Sequence, residues 1–364
     1  MAEKRSDKIT IADVARLAGV STATAGRVLG GYGYSREEIR KKVRESAAAL
    51  DYRPNKLARS LITGKTQTIG VVAGDIQSPF YASILRGIAD VARARGFGII
   101  LTNSDELANR EIEAVELLLE KQVDGLIVAP SDLIGSEHLR AAVLGGCPVV
   151  QIDRVVNGLD ADSVTVDNAA ASRDCITHLL QAGHRRIGII AELEHLQHGG
   201  VPDFIAAVGN GTVRPITLAT SWQRLYGYVE AHLRAGLKLD PAMVPRVGTY
   251  ALAAAKNETL ALLQGPHRPT ALFTADGLMS SGAMAAISAL GLQLPRDLSL
   301  VCFDDLDWMT FLQPGITAVA QPLTEMGEEA ARLILARIDG SASARQSLIL
   351  RPALSVRGSV AMIG

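Results

Sequence analysis

The stretch Ile11–Gly31, IADVARLAGVSTATAGRVLGG, decides how the rest of the chain is read. Ile11, Val14, Ala15 and Ala18 recur at the i, i+3, i+4, i+7 spacing of one helix face. Gly19 then permits a tight turn through positive φ, and Ser21 is a good N-cap for a second helix running to about Leu29. Two short helices around a glycine-containing turn make a helix-turn-helix. Small Ala15 lets the helices cross closely, while Val20, Ala25 and Val28 face inward. Thr22, Ala23, Thr24 and Arg27 point the other way, where such side chains can reach base edges or phosphates in a major groove. A third amphipathic helix follows, capped at Ser35, with Ile39, Val43, Ala47 and Leu50 inward.

The setting of this segment is basic. From Met1 to Lys65 there are 14 Lys and Arg against 7 Asp and Glu, a balance of +7. The other 299 residues carry −8, so the net charge of −1 hides a small basic head on a larger acidic body. Such a head suits a polyanion, because each phosphate contact releases counterions. A solvated basic surface would show the same charge, so the helical pattern has to carry the distinction. At 364 residues the chain exceeds one ordinary domain, and with 48% hydrophobic residues it can bury real cores. No apolar run approaches the length of a membrane span, and MAEKRSDKIT lacks the apolar core of a signal peptide. Cys147, Cys175 and Cys302 show no metal or redox spacing. A cytoplasmic protein with buried free thiols, no cofactor and no metal is the expectation.

Directly after the third helix comes Tyr52–Leu61, YRPNKLARSL. Pro54 suits the first turn of a helix, and KLARSL is too short to be helical alone, so it needs a partner helix, DNA or both. IADVARLAGVSTATAGRVL, LDYRPNKLARSL, IGVVAGDIQSPFYASILRGI, VDGLIVAP, VDNAAASRDCITHLLQAGHRRIGII and SLVCFDDLDW follow one another over nearly the whole chain. In these motifs and their order the sequence resembles the lactose-repressor/galactose-repressor (LacI/GalR) family of bacterial transcription regulators. The resemblance implies an N-terminal all-α helix-turn-helix head with a hinge helix, then an α/β periplasmic-binding-protein-like core of two doubly wound parallel-sheet lobes. It implies a homodimer, operator DNA as partner, and a small effector, a sugar, bound between the lobes. Thr22 and Ala23 would read bases, Arg27 would contact the major groove, and Ser21 and Thr24 would hold phosphates. Asn55, Ala58 and Leu61 would lie on a hinge helix in the minor groove, with Leu61 as the wedge that kinks the central base step. Two features depart from the family pattern. Gly26 stands mid-helix where Ser is usual, at a helix cost of about 1 kcal/mol relative to Ala. Gly30–Gly31 replace the usual Asn, and Ala23 can specify only by apolar contact such as a thymine methyl.

Beyond the linker TGKTQ the pattern alternates. TIGVVAGD, FGIILTNS, VDGLIVAP and PVVQID read as strands separated by amphipathic helices, and RRIGIIAE, TALFTAD and LSLVCFDD repeat the scheme. This is βαβ order and implies parallel sheets covered on both faces, with ligands past the strand C-termini. Residues just past strand ends are therefore cleft candidates: Asp75 and Phe80, Asn103 and Asp105, Asp153 and Arg154. From the resemblance, Arg224 in WQRLYGY is the effector-clamping arginine and Tyr250 an aromatic of the cleft. Asp304 in CFDD is the carboxylate that accepts from sugar hydroxyls, and Asp276 stands where Asn is usual. Trp308 is a further cleft candidate with an equally good reading as core.

The expected domains are a head over 1–53, a hinge and linker over 54–67 and the core over 68–364. Its lobes comprise 68–168 plus 306–325, and 169–305 plus 326–364. The segment 192–220 is longer than the family needs and reads as a solvated loop; His195 and His198 with Glu192 and Glu194 fit no standard metal spacing. His184, at a helix end, reads as a C-terminal capping residue. IGVVAGD has no phosphate-binding glycine pattern and no G-x-S-x-G elbow occurs, so an enzyme is not expected. Two other readings share this architecture. One is a corepressor-dependent regulator answering to a phosphorylated metabolite or nucleobase; the other is a sugar-binding transport protein, against which the basic head speaks.

Overall fold

The computed structural model describes residues 9–31, 33–52, 64–193 and 199–363. In the head, α1 (Ile11–Ala18) opens at Thr10, where the Asp13 carboxylate accepts from the Thr10 amide (3.0 Å) and hydroxyl (2.7 Å). It closes on Gly19, whose φ of 65° lies where glycine pays no steric penalty. Ser21 Oγ accepts from the Thr24 amide (3.2 Å) and so starts α2 (Thr22–Gly30). The third helix, α3 (Glu37–Ala49), is capped by Arg36 rather than the expected Ser35. Arg36 has the extended backbone of an N-cap without a side-chain bond, and Glu37 and Glu38 supply the negative charge that favours a helix start. Val14, Ala15, Ala25, Val28, Val43 and Ala47 form the small core, with Val20, Ile39 and Leu50 partly buried against it.

The core unit has two sheets. In the first, β1 (Thr68–Ala73), β2 (Gly98–Asn103), β3 (Gly125–Val128), β4 (Val149–Ile152), β5 (Asp162–Val166) and β10 (Ser347–Leu350) lie in the order β10-β5-β4-β3-β1-β2. Alternate residues of β1 serve opposite faces. Ile69, Val71 and Ala73 join the cluster under α4 (Pro79–Ala94) and α13 (Leu323–Ile338), whereas Gly70 abuts Leu118 of α5 (Ala108–Glu120). The short α6 (Glu137–Leu144) also covers this lobe. In the second sheet, β6 (Ile187–Ile190), β7 (Ala271–Thr274), β8 (Ser299–Phe303), β9 (Thr317–Ala320) and β11 (Ala353–Ser355) lie in the order β11-β9-β8-β7-β6, with only the β11–β9 pair antiparallel. One face carries α7 (Asn168–Gln181), α8 (Val201–Gly209) and α9 (Thr220–Arg234). The other carries α10 (Leu252–Gln264), α11 (Gly277–Ala289) and α12 (Asp307–Phe311). Strands β1, β3, β4, β6, β7 and β8 are nearly continuous apolar runs because both faces are covered.

The C-terminal segments divide differently from the expected lobe limits. Residues 306–320 belong to the second lobe through α12 and β9, whereas α13 and β10 belong to the first. The cause is a close helix crossing. A Cβ at Gly327 of α13 would overlap the Ile84 carbonyl, and one at Gly87 of α4 would overlap the Thr324 carbonyl, so only glycine allows this approach. Arg337 then fixes α13 to β5, donating Nε and Nη2 to the two oxygens of the fully buried Asp162 (2.7 and 2.8 Å). The chain thus changes lobe three times, near Asp167, Gln321 and Arg351. One further expectation is corrected. Segment 192–220 contains α8 and the 3-10 turn Pro215–Thr217, and α8 buries Phe204 and Val208 in the second lobe's core instead of forming a solvated loop. His184 caps α7 through its backbone amide, which donates to the Leu179 carbonyl (3.1 Å) behind the left-handed Gly183, while its ring Nδ1 lies 2.9 Å from Thr270 Oγ1, across to the start of β7.

Candidate functional site

On the head, Ser21, Thr22, Ala23 and Arg27 are exposed and Thr24 is half-buried. Ser21 Oγ lies 2.9 Å from Thr24 Oγ1, which accepts from Arg27 Nη2 (3.3 Å). The two residues expected to hold phosphate are therefore bonded to one another and to Arg27. This chain orients the guanidinium along the exposed face of α2. Ala23 sits one turn before Arg27 on that face, and a Cβ at Gly33 would touch the Arg27 stem (3.3 Å), so the following loop also confines it. Asn55, Ala58 and Leu61 lie outside the described residues, as do Glu194, His195 and His198.

In the core unit, the sequence-derived candidates separate into two groups. Asp75, Phe80 and Asn103 serve local structure. Asp75 accepts from the Gln77 amide (2.8 Å), Asn103 Oδ1 from the Ile76 amide (3.0 Å), and the Phe80 ring meets Tyr81 edge-on at 5.0 Å. Asp105 pairs with Arg110, and Trp308 packs against the core under α10 and α11. Asp153, Arg154, Arg224, Tyr250, Asp276 and Asp304 come together, because Asp153 feels Arg154, Arg224 and Asp304 while Tyr250 feels Asp276, Asp304 and Arg224.

The two lobes contribute matching corners. Asp153 is the first residue after β4 and Asp304 the first after β8, and both have left-handed backbones, with φ of 66° and 70°. Aspartate tolerates this region better than most residues, and such strain is concentrated at functional sites. Asp304 Oδ2 accepts from the Gly277 amide (2.9 Å) and Oδ1 from Gln321 Nε2 at the second lobe crossing. Asp276 caps α11 through the Leu278 and Met279 amides (both 2.8 Å). Burial nevertheless pushes its carboxyl up to about 6, against its backbone bonds and Arg224. Burial also raises the Asp153 carboxyl, with Arg154 and Arg224 opposing. Arg224, 6% exposed, donates from Nε to Asn168 Oδ1 (2.9 Å) and from Nη1 to the Ala275 carbonyl (2.6 Å), and its guanidinium lies 3.9 Å from the Phe303 ring centre. Its Nη2 donates to no described residue. Tyr250 is 40% exposed, so its ring is available at the site's edge. The protein around it, then Asp276 and Asp304, raise its phenol.

Four participants escaped the sequence reading. Glu106 pairs with Arg154, which also reaches Asp153 at 3.3 Å, and accepts from the buried Tyr81 hydroxyl (3.0 Å). Asn168 and Gln321 stand at lobe crossings, and Phe303 ends β8. The available signal for Glu106 was Gly74, where a Cβ would overlap both Glu106 and the Tyr81 hydroxyl. Among the described residues no group of His, Cys, Asp and Glu has metal-binding geometry, and no helix is long and apolar enough to cross a membrane.

Residues 10–55 match the model of bacterial regulatory proteins of the lacI family, and residues 176–360 match the periplasmic binding protein-like domain. Over 327 residues the chain is 33% identical to catabolite control protein A of Priestia megaterium, covering 90% of this chain and 91% of that one. The chain belongs to the lacI family. Over 361 residues this lacI-family chain is also 30% identical to the HTH-type transcriptional repressor CytR of Escherichia coli K12, covering 98% of both. Among solved structures it is similar to the transcriptional regulator CelR in complex with cellobiose, with a TM-score of 0.68, 28% identity, and 96% and 99% of the two chains covered. As a lacI-family member the chain is a DNA-binding transcriptional regulator, and α1–α2 is its helix-turn-helix.

Proposed function

We propose that the chain is a cytoplasmic, homodimeric repressor rather than an enzyme. The α2 helices of its two heads read the half-sites of an operator, and a neutral polyhydroxylated effector, a sugar, releases it. The observation that carries the effector class is the charge of the cluster between the lobes. Among the described residues, Glu106, Asp153, Asp276 and Asp304 face only two cations, Arg154 and Arg224. Arg154 is already held by Glu106 and Asp153, and Arg224 by Asn168 and the Ala275 carbonyl. A phosphate group would enter an excess of negative charge, whereas sugar hydroxyls find carboxylate acceptors and an exposed tyrosine ring. This favours a sugar over a phosphorylated corepressor, and the CelR–cellobiose complex supports it as a relative that holds a neutral disaccharide. Ligand closure between lobes coupled to the spacing of the hinge residues Asn55, Ala58 and Leu61 gives two sites and a two-state element, as allostery requires.

The test is operator binding by fluorescence anisotropy with a fragment of the protein's own upstream DNA, repeated with neutral mono- and disaccharides and with sugar phosphates. Release by a neutral sugar is expected; a response confined to sugar phosphates would overturn the reading. In the same assay Arg27→Ala is expected to weaken operator binding by ~1–3 kcal/mol, about 5- to 150-fold, if it reads a base. A uniform loss across sequences, with a salt slope lower by about one, would instead make it a phosphate contact.

Asp276 gives the effector equilibrium a pH dependence. Its folded-state value of about 6 lies above the ordinary 3.8, so its ionisation opposes folding, and that contribution to stability falls as pH rises between these values. Effector binding runs the other way, because only the carboxylate accepts from two hydroxyls. Sugar affinity is expected to fall about tenfold from pH 7 to pH 5, and Asp276→Asn to flatten the profile. Calorimetric titration at both pH values checks this.

A further inference from the structure

The parallel strands of the second sheet have two ends, and the cleft uses only one. Asp276 and Asp304 follow β7 and β8; Arg186, Thr270 and Leu298 precede β6, β7 and β8 and line a separate cavity of about 280 Å³. Among the described residues, three arginines, Arg186, Arg268 and Arg296, line this cavity with a single acidic residue, Asp297. That carboxylate is occupied. Arg296 meets its two oxygens at 3.1 Å each, and the Gln293 amide donates to it at 2.9 Å. Arg268 Nη2 is fixed by the Asp297 carbonyl (2.9 Å) and Arg186 Nε by the Arg268 carbonyl (3.3 Å), so backbone oxygens position both groups without neutralising them. Neither makes an ion pair of hydrogen-bonding length with a described carboxylate.

The cavity also contains a buried polar group without a partner. His184 is 1% exposed, and its Nδ1 lies 2.9 Å from Thr270 Oγ1. Its Nε2 faces the Ala361 backbone without completing a hydrogen bond of good geometry with a described residue, and burial, opposed by that backbone, holds the ring below its ordinary pKa. Leaving such a nitrogen unsatisfied is costly, and excess positive charge in a concave site attracts anions. The C-terminal tail forms one wall, held by Ala361 N to Ser299 Oγ (2.9 Å) and Ile363 N to the Ala182 carbonyl (2.8 Å).

We propose that this cavity is a second ligand site, at the opposite end of the sheet from the cleft, that binds a phosphate group through Arg186, Arg268 and a protonated His184 Nε2. The site complements the cleft in charge: the lobe rejects phosphate at one end and accepts it at the other. Because the imidazole takes up a proton on binding, affinity rises as pH falls. The test uses the full chain, titrated calorimetrically with inorganic phosphate and with glycerol phosphate at fixed ionic strength, while NMR follows the His184 ring. Saturable binding is expected, together with a shift of the His184 titration to higher pH. The double variant Arg186→Gln, Arg268→Gln should weaken binding about tenfold or more and remove that shift, while operator binding and sugar release persist. Tighter binding of glycerol phosphate would identify a phosphorylated metabolite as the occupant; tighter binding of inorganic phosphate would identify the free ion. Heat that does not saturate, binding unchanged in the double variant, or binding that instead disappears in Arg224→Gln would overturn the proposal.

Discussion

An Arg224→Ala variant is expected to hold operator DNA and ignore its effector. Arg224 is nearly buried, yet it is no ordinary core residue. Two of its donors are used within the protein, on Asn168 and the Ala275 carbonyl, and its face rests on Phe303. This fixes the plane of the guanidinium before any ligand arrives and leaves Nη2 for the effector, so little ordering cost remains on binding. Among the described residues Arg224 is also the only cation that the second lobe brings to Asp153, Asp276 and Asp304. Truncation removes charge-assisted hydrogen bonds worth ~1.5–3 kcal/mol each and leaves three carboxylates facing one another. Effector affinity should fall about 100-fold, while the operator affinity of the unliganded protein, set by the head, should stay within a few-fold. Calorimetry with the sugar and anisotropy with operator measure the two separately. Arg224→Lys should recover only part of the affinity, because an ammonium cannot reproduce the fork. Unchanged sugar affinity in Arg224→Ala would remove the cleft from the effector hypothesis.

What the sequence disclosed depended on whether a side chain's role was local. The head was legible because its determinants are neighbours: apolar spacing along α1, the left-handed Gly19 and the Ser21 cap all act within one turn. The Ser35 cap failed for the same kind of reason, since Arg36 adopts cap geometry without the side-chain bond that marks a cap in sequence. The βα alternation was legible wherever strands are pure apolar runs. The segment Asp162–Val166, DSVTV, is not such a run, yet it is a buried strand because Asp162 is neutralised by Arg337, 175 residues away. That pairing, with the Gly87–Gly327 crossing, also places α13 and β10 in the first lobe, and no local pattern announces it. The cleft shows the same division. Asp153 and Arg154 could be found because they follow a strand, and Asp276 and Asp304 through the family resemblance, whereas Glu106 and Gln321 matter through the partners that folding brings to them. Asp75 follows β1 and Asn103 ends β2, but their side chains are used on the Gln77 and Ile76 amides.

The segment 192–220 supplies the largest stability effect to be expected, because it had the composition of a loop and became part of a core. In α8, Phe204 is fully buried, its ring meets Trp222 edge-on at 4.8 Å, and Val208, Val213 and Leu218 complete the patch over β6. The helix is nine residues long and could not persist in water alone, so its formation depends on burying this face. Replacing Phe204 by Ala removes the ring from a site whose walls, α7, α9 and the sheet, are held by their own contacts and cannot close over the gap. The expected destabilisation is ~3–5 kcal/mol, the transfer cost of the ring plus the cavity left behind. Substitution of the exposed Ala206 on the same helix should change stability by no more than ~0.5 kcal/mol. Denaturant unfolding followed by tryptophan fluorescence suits the comparison, since Trp222 reports on this patch directly. A Phe204→Ala midpoint close to that of the unsubstituted protein would mean that α8 lies on the surface as an appendage. A large shift would mean that the extra segment thickens the effector lobe beside α9, the helix that carries Arg224, and so stiffens the wall against which the effector closes.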